Sequence, residues 1–299
     1  MGLKICIDAG HHGLRDNEGY YGYYESAFVW KIHLALIEEL KKYKDVEIVT
    51  TRQDINEKVP FDKDVSEIKT ENRARGRKAV GCDLFISLHT NACDTPSVDR
   101  AVVFHSVRLP FADMATRFGK KLYALFAAEF GSTQKYQISQ VTMSKTITDW
   151  DYYGVLVGAS SVGVRGIIIE HSFHTNAAFC KWAMKDGSAE KVAKADAEAI
   201  AEQFKLELKR EKRTYEIGGF YTILKGDKYT NGKAVPSRYI GDVMTIADVM
   251  NGAIRLKEIN SWVVVPEAEE QEDHVHQGGH LHRRRVTLVV AAEVHQNAF

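Results

Sequence analysis

The chain has 299 residues, enough for one sizeable α/β domain and a smaller companion. Hydrophobic residues make up 44% and charged residues 27%, and Lys+Arg equals Asp+Glu at 40 each, so the formal net charge is zero. That balance lacks the electrostatic footprint of a nucleic-acid binder, and no apolar run reaches transmembrane length, so neither nucleic acid nor membrane insertion is expected.

In chain order, residues 3–7 enter an apolar, β-branched run at once, with no basic-then-apolar leader pattern before it. Synthesis in the cytoplasm without a signal peptide is the expectation. Further strand-type runs lie at 46–51, 83–88, 101–104 and 166–169. Helical spacing fills the gaps: Phe28, Val29, Ile32, Leu36 and Leu40 over 26–42, then Phe118, Leu122, Leu125 and Phe126 over 114–130. A third helix is predicted from about Ser188, with Glu190 in its first turn, an apolar stripe from Val192 to Leu208, and a charged end at 205–213. Alternation of this kind predicts an α/β domain over 1–212: a mostly parallel twisted sheet with helices on both faces. Cys6, Cys82, Cys93 and Cys180 share no metal or disulfide spacing and read as reduced thiols.

From Tyr215 the texture changes to short strand-like runs separated by turn signals. Asn251-Gly252 joins 243–247 to 253–256 as a hairpin, and 261–265 reads as a closing strand. Several short strands over 213–266 predict a small closed all-β barrel, which removes exposed edges. Beyond Pro266 an acidic run gives way to His274, His276, His280, His282 and Arg283-Arg284-Arg285, so 267–299 reads as a disordered or appended tail.

The chemistry-bearing residues sit where strands end. Glu170 follows Ile167-Ile168-Ile169, and a carboxylate at the end of a buried strand is costly unless something uses it. His11, in Gly10-His11-His12-Gly13, follows the first strand; Glu25 opens the first helix; His89 ends the third strand. Ligands of open α/β sheets bind at the carboxyl ends of the strands, so His11, Glu25 and His89 can converge there. Two imidazoles and a carboxylate form a zinc set with a position open for water. One bound Zn²⁺ lowers the pKa of that water to about 7 and polarises a carbonyl. Glu170 is then the general base that moves the proton, and amide or ester hydrolysis is the expected reaction. Taken singly, either histidine would read as a structural hydrogen-bonder, Glu25 as a solvated helix-start acid, and Glu170 as half of a buried ion pair. Asn91, His171 and His174 flank these positions and are the candidate substrate contacts. His33 reads as a packing or surface residue within the first helix, and His105 ends a strand on the sheet's far side.

These blocks resemble the zinc-dependent N-acetylmuramoyl-L-alanine amidases of the Amidase_3 type. The similar stretches are Ile7-Asp8-Ala9-Gly10-His11-His12-Gly13, Glu25, Thr51-Arg52, Arg73, the block from Asp83 to Asn91, and the block from Ile169 to Asn176. His12 and Ala9 stand where that family commonly has Gly and Pro. The resemblance implies cleavage of the amide between the lactyl group of N-acetylmuramic acid and L-Ala of peptidoglycan. It places the ligands on His11, Glu25 and His89 and the catalytic glutamate on Glu170. The 213–266 segment resembles an SH3-like module that binds a cell-wall polymer. An amidase of this arrangement is similar to phage or prophage endolysins, which act on the bacterial wall after the membrane is permeabilised.

Overall fold

In the computed structural model, which describes residues 2–209, 215–250 and 252–265, the chain divides into two units, Met1–Lys209 and Arg210–Phe299. The first unit runs β1 (Leu3–Ala9), α1 (Glu25–Lys41), β2 (Val46–Thr50), α2 (Glu71–Arg77), β3 (Leu84–Asn91), β4 (Val102–His105), α3 (Ala112–Phe130), β5 (Gln137–Ser139), α4 (Gly154–Ser161), β6 (Arg165–Phe173), α5 (Ala177–Ala183) and α6 (Ser188–Phe204).

The strands form one sheet in the order β2-β1-β3-β6-β4-β5. β1, β2, β3 and β6 are parallel, whereas β4 lies antiparallel to β6 and carries β5 beside it. The sheet is therefore mixed, though four of its five strand pairings are parallel, in keeping with the expected mostly parallel sheet. The connection from β3 to β4 covers only residues 92–101 and holds no helix, too short for the crossover a parallel neighbour requires. The reversal places His105 opposite Ile167 and Val102 opposite Glu170, so His105 sits at the sheet edge away from Glu170.

Alternation along the strands feeds two cores. Ile5, Ile7, Ile86, Leu88, Ile167 and Ile169 meet α1, α3, α5 and α6, while Cys6, Phe85, Ile168 and Phe104 meet α4 and the segment that follows α2. α1 buries Phe28, Val29, Ile32, Leu36 and Leu40, at roughly 1.5–3 kcal/mol for each fully buried side chain. Its first N–H groups have no side-chain cap; Glu25 and Ser26 donate instead to the carbonyls of Asn17 and Asp16. That ties the loop after β1 to the helix start. α6 ends at Phe204, earlier than its apolar stripe predicts, because Lys205 adopts a left-handed conformation and returns its N–H to Ala201.

α2 and α4 cross at two glycines. A Cβ at Gly76 would stand 2.0 Å from the Val155 carbonyl oxygen, and one at Gly158 2.0 Å from that of Arg73. Close backbone approach of this kind is open only to glycine. It presses α4 against α2 and holds the first turn of α4 beside Asn72.

The second unit contains β7 (Phe220–Thr222), β8 (Val243–Met250), β9 (Ala253–Leu256) and β10 (Ser261–Val264), an antiparallel sheet in the order β10-β9-β8-β7. Tyr221, Ile223, Met244, Ile246, Ile254, Leu256 and Val263 form its own core. Gly252, with φ +78°, turns the hairpin between β8 and β9. Tyr229 bridges to Val263, which covers part of the β10 edge. The His- and Arg-rich stretch within 267–299 lies outside the described residues. Among the described residues, no helix is long and apolar enough to cross a membrane.

Gly76→Ala and Gly158→Ala are each expected to destabilise the fold by about 3 kcal/mol, since the added methyl meets backbone that cannot rotate away. Urea unfolding of each variant measures this.

Candidate functional site

The carboxylate of Glu25 is 1% exposed and gathers partners from two other parts of the chain. Its Oε1 accepts the Thr90 N–H (2.7 Å) and lies 3.1 Å from His89 Nδ1. Its Oε2 accepts an N–H of Asn17 (2.8 Å) and lies 3.2 Å from His11 Nε2. Burial pushes the Glu25 carboxyl upward, but the bonds to His11 and His89 outweigh it and hold the group well below the usual carboxylate range. Burial lowers His11, and Glu25 and Asp16 raise it by more, so the net shift is upward. Asp16 Oδ2 stands 3.1 Å from His11 Nδ1, the outer nitrogen, and orients the ring.

One ligand atom from each of His11, Glu25 and His89 lies within 4.8 Å of the other two. His11 reaches this position with φ +59°, a left-handed backbone that histidine adopts more readily than most residues. Gly10 is needed beside it: a Cβ there would stand 2.3 Å from His89 Cε1. Two imidazoles, one carboxylate and a glycine that makes room for a ring fit a divalent cation of zinc type, with at least one position free of protein ligands.

Glu170 lines the adjoining pocket of about 290 Å³ together with His11, His12, Asp16, Glu71, Asn72, Arg75, His89, Tyr153, Gly154, Val155 and Ile168. Register places it opposite His89 across the β3–β6 ladder. It is 8% exposed, and its Oε2 has no hydrogen-bond partner. Burial first, and the charge of Glu25 second, push its pKa well above the ordinary glutamate value. An unpartnered acid so raised, next to a ligand cluster, is a candidate proton carrier.

Beneath the site, Asp8 is fully buried at the end of β1. It accepts from Thr51 Oγ1 (2.5 Å), Ser87 Oγ (2.7 Å) and Arg75 Nε and Nη2 (2.8 and 2.7 Å). Burial raises Asp8, but the Arg75 guanidinium and the two hydroxyls prevail and hold it below the usual range. Arg75 and Arg52 also donate to the Ala9 carbonyl. Arg52 donates to His12 Nδ1 (2.8 Å), leaving His12 Nε2 to meet Glu71 Oε1 at 2.9 Å. His12 therefore lines the pocket as part of an Arg–His–Glu chain.

His11, Glu25, His89 and Glu170 thus come together as the sequence predicts. Two of the candidate substrate contacts do not reach the pocket. His171 is fully buried on the opposite face of β6, with Nδ1 3.0 Å from the His89 carbonyl oxygen and Nε2 2.9 Å from Asp196 Oδ2 on α6. His174 is buried behind Glu25, with Nδ1 3.1 Å from Thr90 Oγ1, which in turn meets the Tyr23 hydroxyl. Strand alternation turns His171 to the face opposite Glu170, and a bulge displaces His174: His89 pairs with Glu170 but Asn91 with Phe173, and Ser172 takes φ +74°. Asn91 is half-buried at the end of β3, its side-chain oxygen accepting the Ala92 N–H. Sequence reasoning missed Arg75, Asp16, Asn17 and Tyr153, and noted His12 without a role. Only His12 carried a signal, its place inside the Gly-His-His-Gly turn. His33 is buried in α1, stacked on Trp30, with burial lowering its pKa to about 4.

A mixed sheet with flanking helices and a His-Glu-His cluster beside a raised glutamate defines a hydrolase class. The chain belongs to the N-acetylmuramoyl-L-alanine amidase family, Amidase_3, whose profile matches residues 5–202. It is 28% identical over 233 residues to the endolysin of Bacillus phage SPP1, across 78% of this chain and 74% of that protein. The fold resembles the N-acetylmuramoyl-L-alanine amidase of Clostridium difficile 630 (TM-score 0.50, 16% identity, 68% of this chain and 97% of that one). AmiC2 of Nostoc punctiforme is similar at the same level (TM-score 0.50, 16% identity, 68% and 97%).

Two stability effects of opposite sign follow. Asp8→Asn leaves Arg75 buried and unpaired, and is expected to cost about 3–5 kcal/mol in urea unfolding at pH 7. Because the folded pKa of Asp8 lies below its unfolded value, its contribution is complete above pH about 4 and is lost as pH falls through the folded value. Glu170 is raised instead, so its ionisation opposes folding above pH about 4.3. In chelator-treated protein, Glu170→Gln is expected to raise the free energy of urea unfolding at pH 7 by on the order of 1–3 kcal/mol, with the gain vanishing towards pH 4.

Proposed function

We propose that this chain hydrolyses the amide between the lactyl group of N-acetylmuramic acid and L-Ala of peptidoglycan, using one Zn²⁺ held by His11, Glu25 and His89. The observation that carries the reading is the convergence of those three ligand atoms next to the unpartnered Oε2 of buried Glu170. A zinc ion bound there supplies Lewis acidity that polarises a carbonyl and makes water more acidic. Glu170 takes a proton from the attacking water and returns it to the leaving nitrogen of L-Ala. Its raised pKa suits both halves of that transfer. Glu25 holds both imidazoles, Asp16 orients His11, and the buried His171–Asp196 pair grips the His89 backbone from behind. Asn91 is kept as an outer substrate contact, whereas His171 and His174 act as supports.

Residues 1–212 are assigned as the catalytic domain and 213–266 as an SH3-like module for a cell-wall polymer, a reading supported by short antiparallel strands around a separate core. Tethering a wall binder to a hydrolase raises the local substrate concentration without altering the site. The similarity to a phage endolysin supports a lytic enzyme of phage or prophage source, made in the cytoplasm and acting on the wall once the membrane is opened. Residues 267–299 are given no role.

The full chain is expected to retain about one Zn²⁺ per molecule through gel filtration and to lose wall hydrolysis on chelation. Glu170→Gln is expected to keep the metal and lose hydrolysis on the order of a hundredfold or more. Mass spectrometry of fragments from purified walls is expected to find a free muramoyl lactate and a new L-Ala amino end. New amino ends elsewhere in the stem would assign a different bond.

A further inference from the structure

The beginning of α4 lines the same pocket as the ligand cluster. Gly154 and Val155 line the pocket as its first two residues. The helix has no side-chain cap, and its first intrahelical bonds begin with the Leu156 and Val157 N–H groups donating to Tyr153. Among the described residues, neither the Gly154 nor the Val155 N–H has a hydrogen-bond partner. Free donors at a helix start carry the positive end of the helix dipole. On the same pocket, Glu170 Oε2 is more than nine-tenths buried and lacks any donor. The residues of the lining therefore carry two unused donors and one unused acceptor.

Outside the ligand cluster, the basic side chains of the lining are already engaged: Arg75 by Asp8, and His12 by Glu71. Glu170, Glu71 and Asp16 add acidic groups to the lining. A neutral ligand with one acceptor and one donor fits this pattern, and a secondary amide is such a group.

We infer that the first turn of α4 is a substrate subsite in which the Gly154 and Val155 N–H groups seat a backbone carbonyl of the peptide stem while Glu170 faces an amide N–H. The identity of the ligand as a peptide stem rests on the amidase reading; the donor pair itself does not. With the scissile N–H towards Glu170, the carbonyl of L-Ala is the acceptor that follows along the stem. The Gly76–Gly158 crossing gives the subsite its position, because it fixes α4 against α2, whose Arg75 is clamped to Asp8. Such a subsite selects substrates by peptide backbone and leaves the wall's side-chain chemistry free to vary.

A backbone donor can be removed here without breaking the helix. Gly154 is the first helical residue, where proline is favoured, and Tyr153 before it already has φ −78° and ψ 124°, the extended conformation that proline demands. Gly154→Ala is the reference, since both variants add a Cβ that meets Asn72 Cβ at 3.0 Å and only the proline lacks the N–H. On the zinc-loaded full chain with a soluble muramoyl peptide, KM for Gly154→Pro is expected to exceed that for Gly154→Ala about tenfold, with the change confined to KM. Equal KM values would overturn the subsite. In a second measurement, the ¹⁵N-labelled full chain without metal is titrated with the same peptide, and the Gly154 and Val155 amide resonances are expected to shift. Cleavage by the unmodified chain with unmoved amides refutes the subsite and leaves the amidase reading standing. Shifted amides without cleavage do the reverse.

Discussion

The buried carboxylate of Glu25 is the constraint on which the catalytic unit is built. A charge at 1% exposure costs several kcal/mol unless its oxygens are fully engaged. Here the partners come from the loop after β1, through His11 and Asn17, and from the end of β3, through His89 and Thr90. Satisfying one charge therefore draws a loop, a strand end and a helix start to a single point. The approach of the two imidazoles is a direct consequence.

Glu170 receives the opposite treatment. It lies across the ladder from His89, yet no donor reaches its Oε2. Two carboxylates in one site are thereby driven apart, one held ionised by its partners and the other raised by burial and by the first charge. That separation is the usual mark of divided roles, a fixed anion and a proton carrier. A third carboxylate, Asp8, is spent on structure, since Arg75, Thr51 and Ser87 saturate it beneath the ligands. The fold can hold an unsatisfied acid at the pocket because the acids around it are so well paired.

Much of this was legible in the chain itself. The strands at β1, β2, β3 and β6 and the helices α1, α3 and α6 announce themselves by apolar period, and the polar strand ends mark His11, His89 and Glu170. What escaped is short or non-local. α2 and α4 span too few residues for a period to emerge, and α4 is apolar with small residues throughout. His171 and His174 sit within a few residues of Glu170, so proximity along the chain suggested the cleft. A bulge at Ser172 and a partner on α6 decided otherwise.

Residue type and order by themselves determined the α/β class and the all-β second segment, and singled out His11, Glu25, His89 and Glu170 as the candidate set, because burial period and the cost of isolated polar groups are local properties. Only the tertiary structure decided that β4 runs against β6, that Arg75 neutralises Asp8, that His171 faces Asp196, and that the start of α4 lines the same pocket as Glu170. Each of these depends on which distant groups meet, and such meetings are set by packing and by the pairing of buried charges.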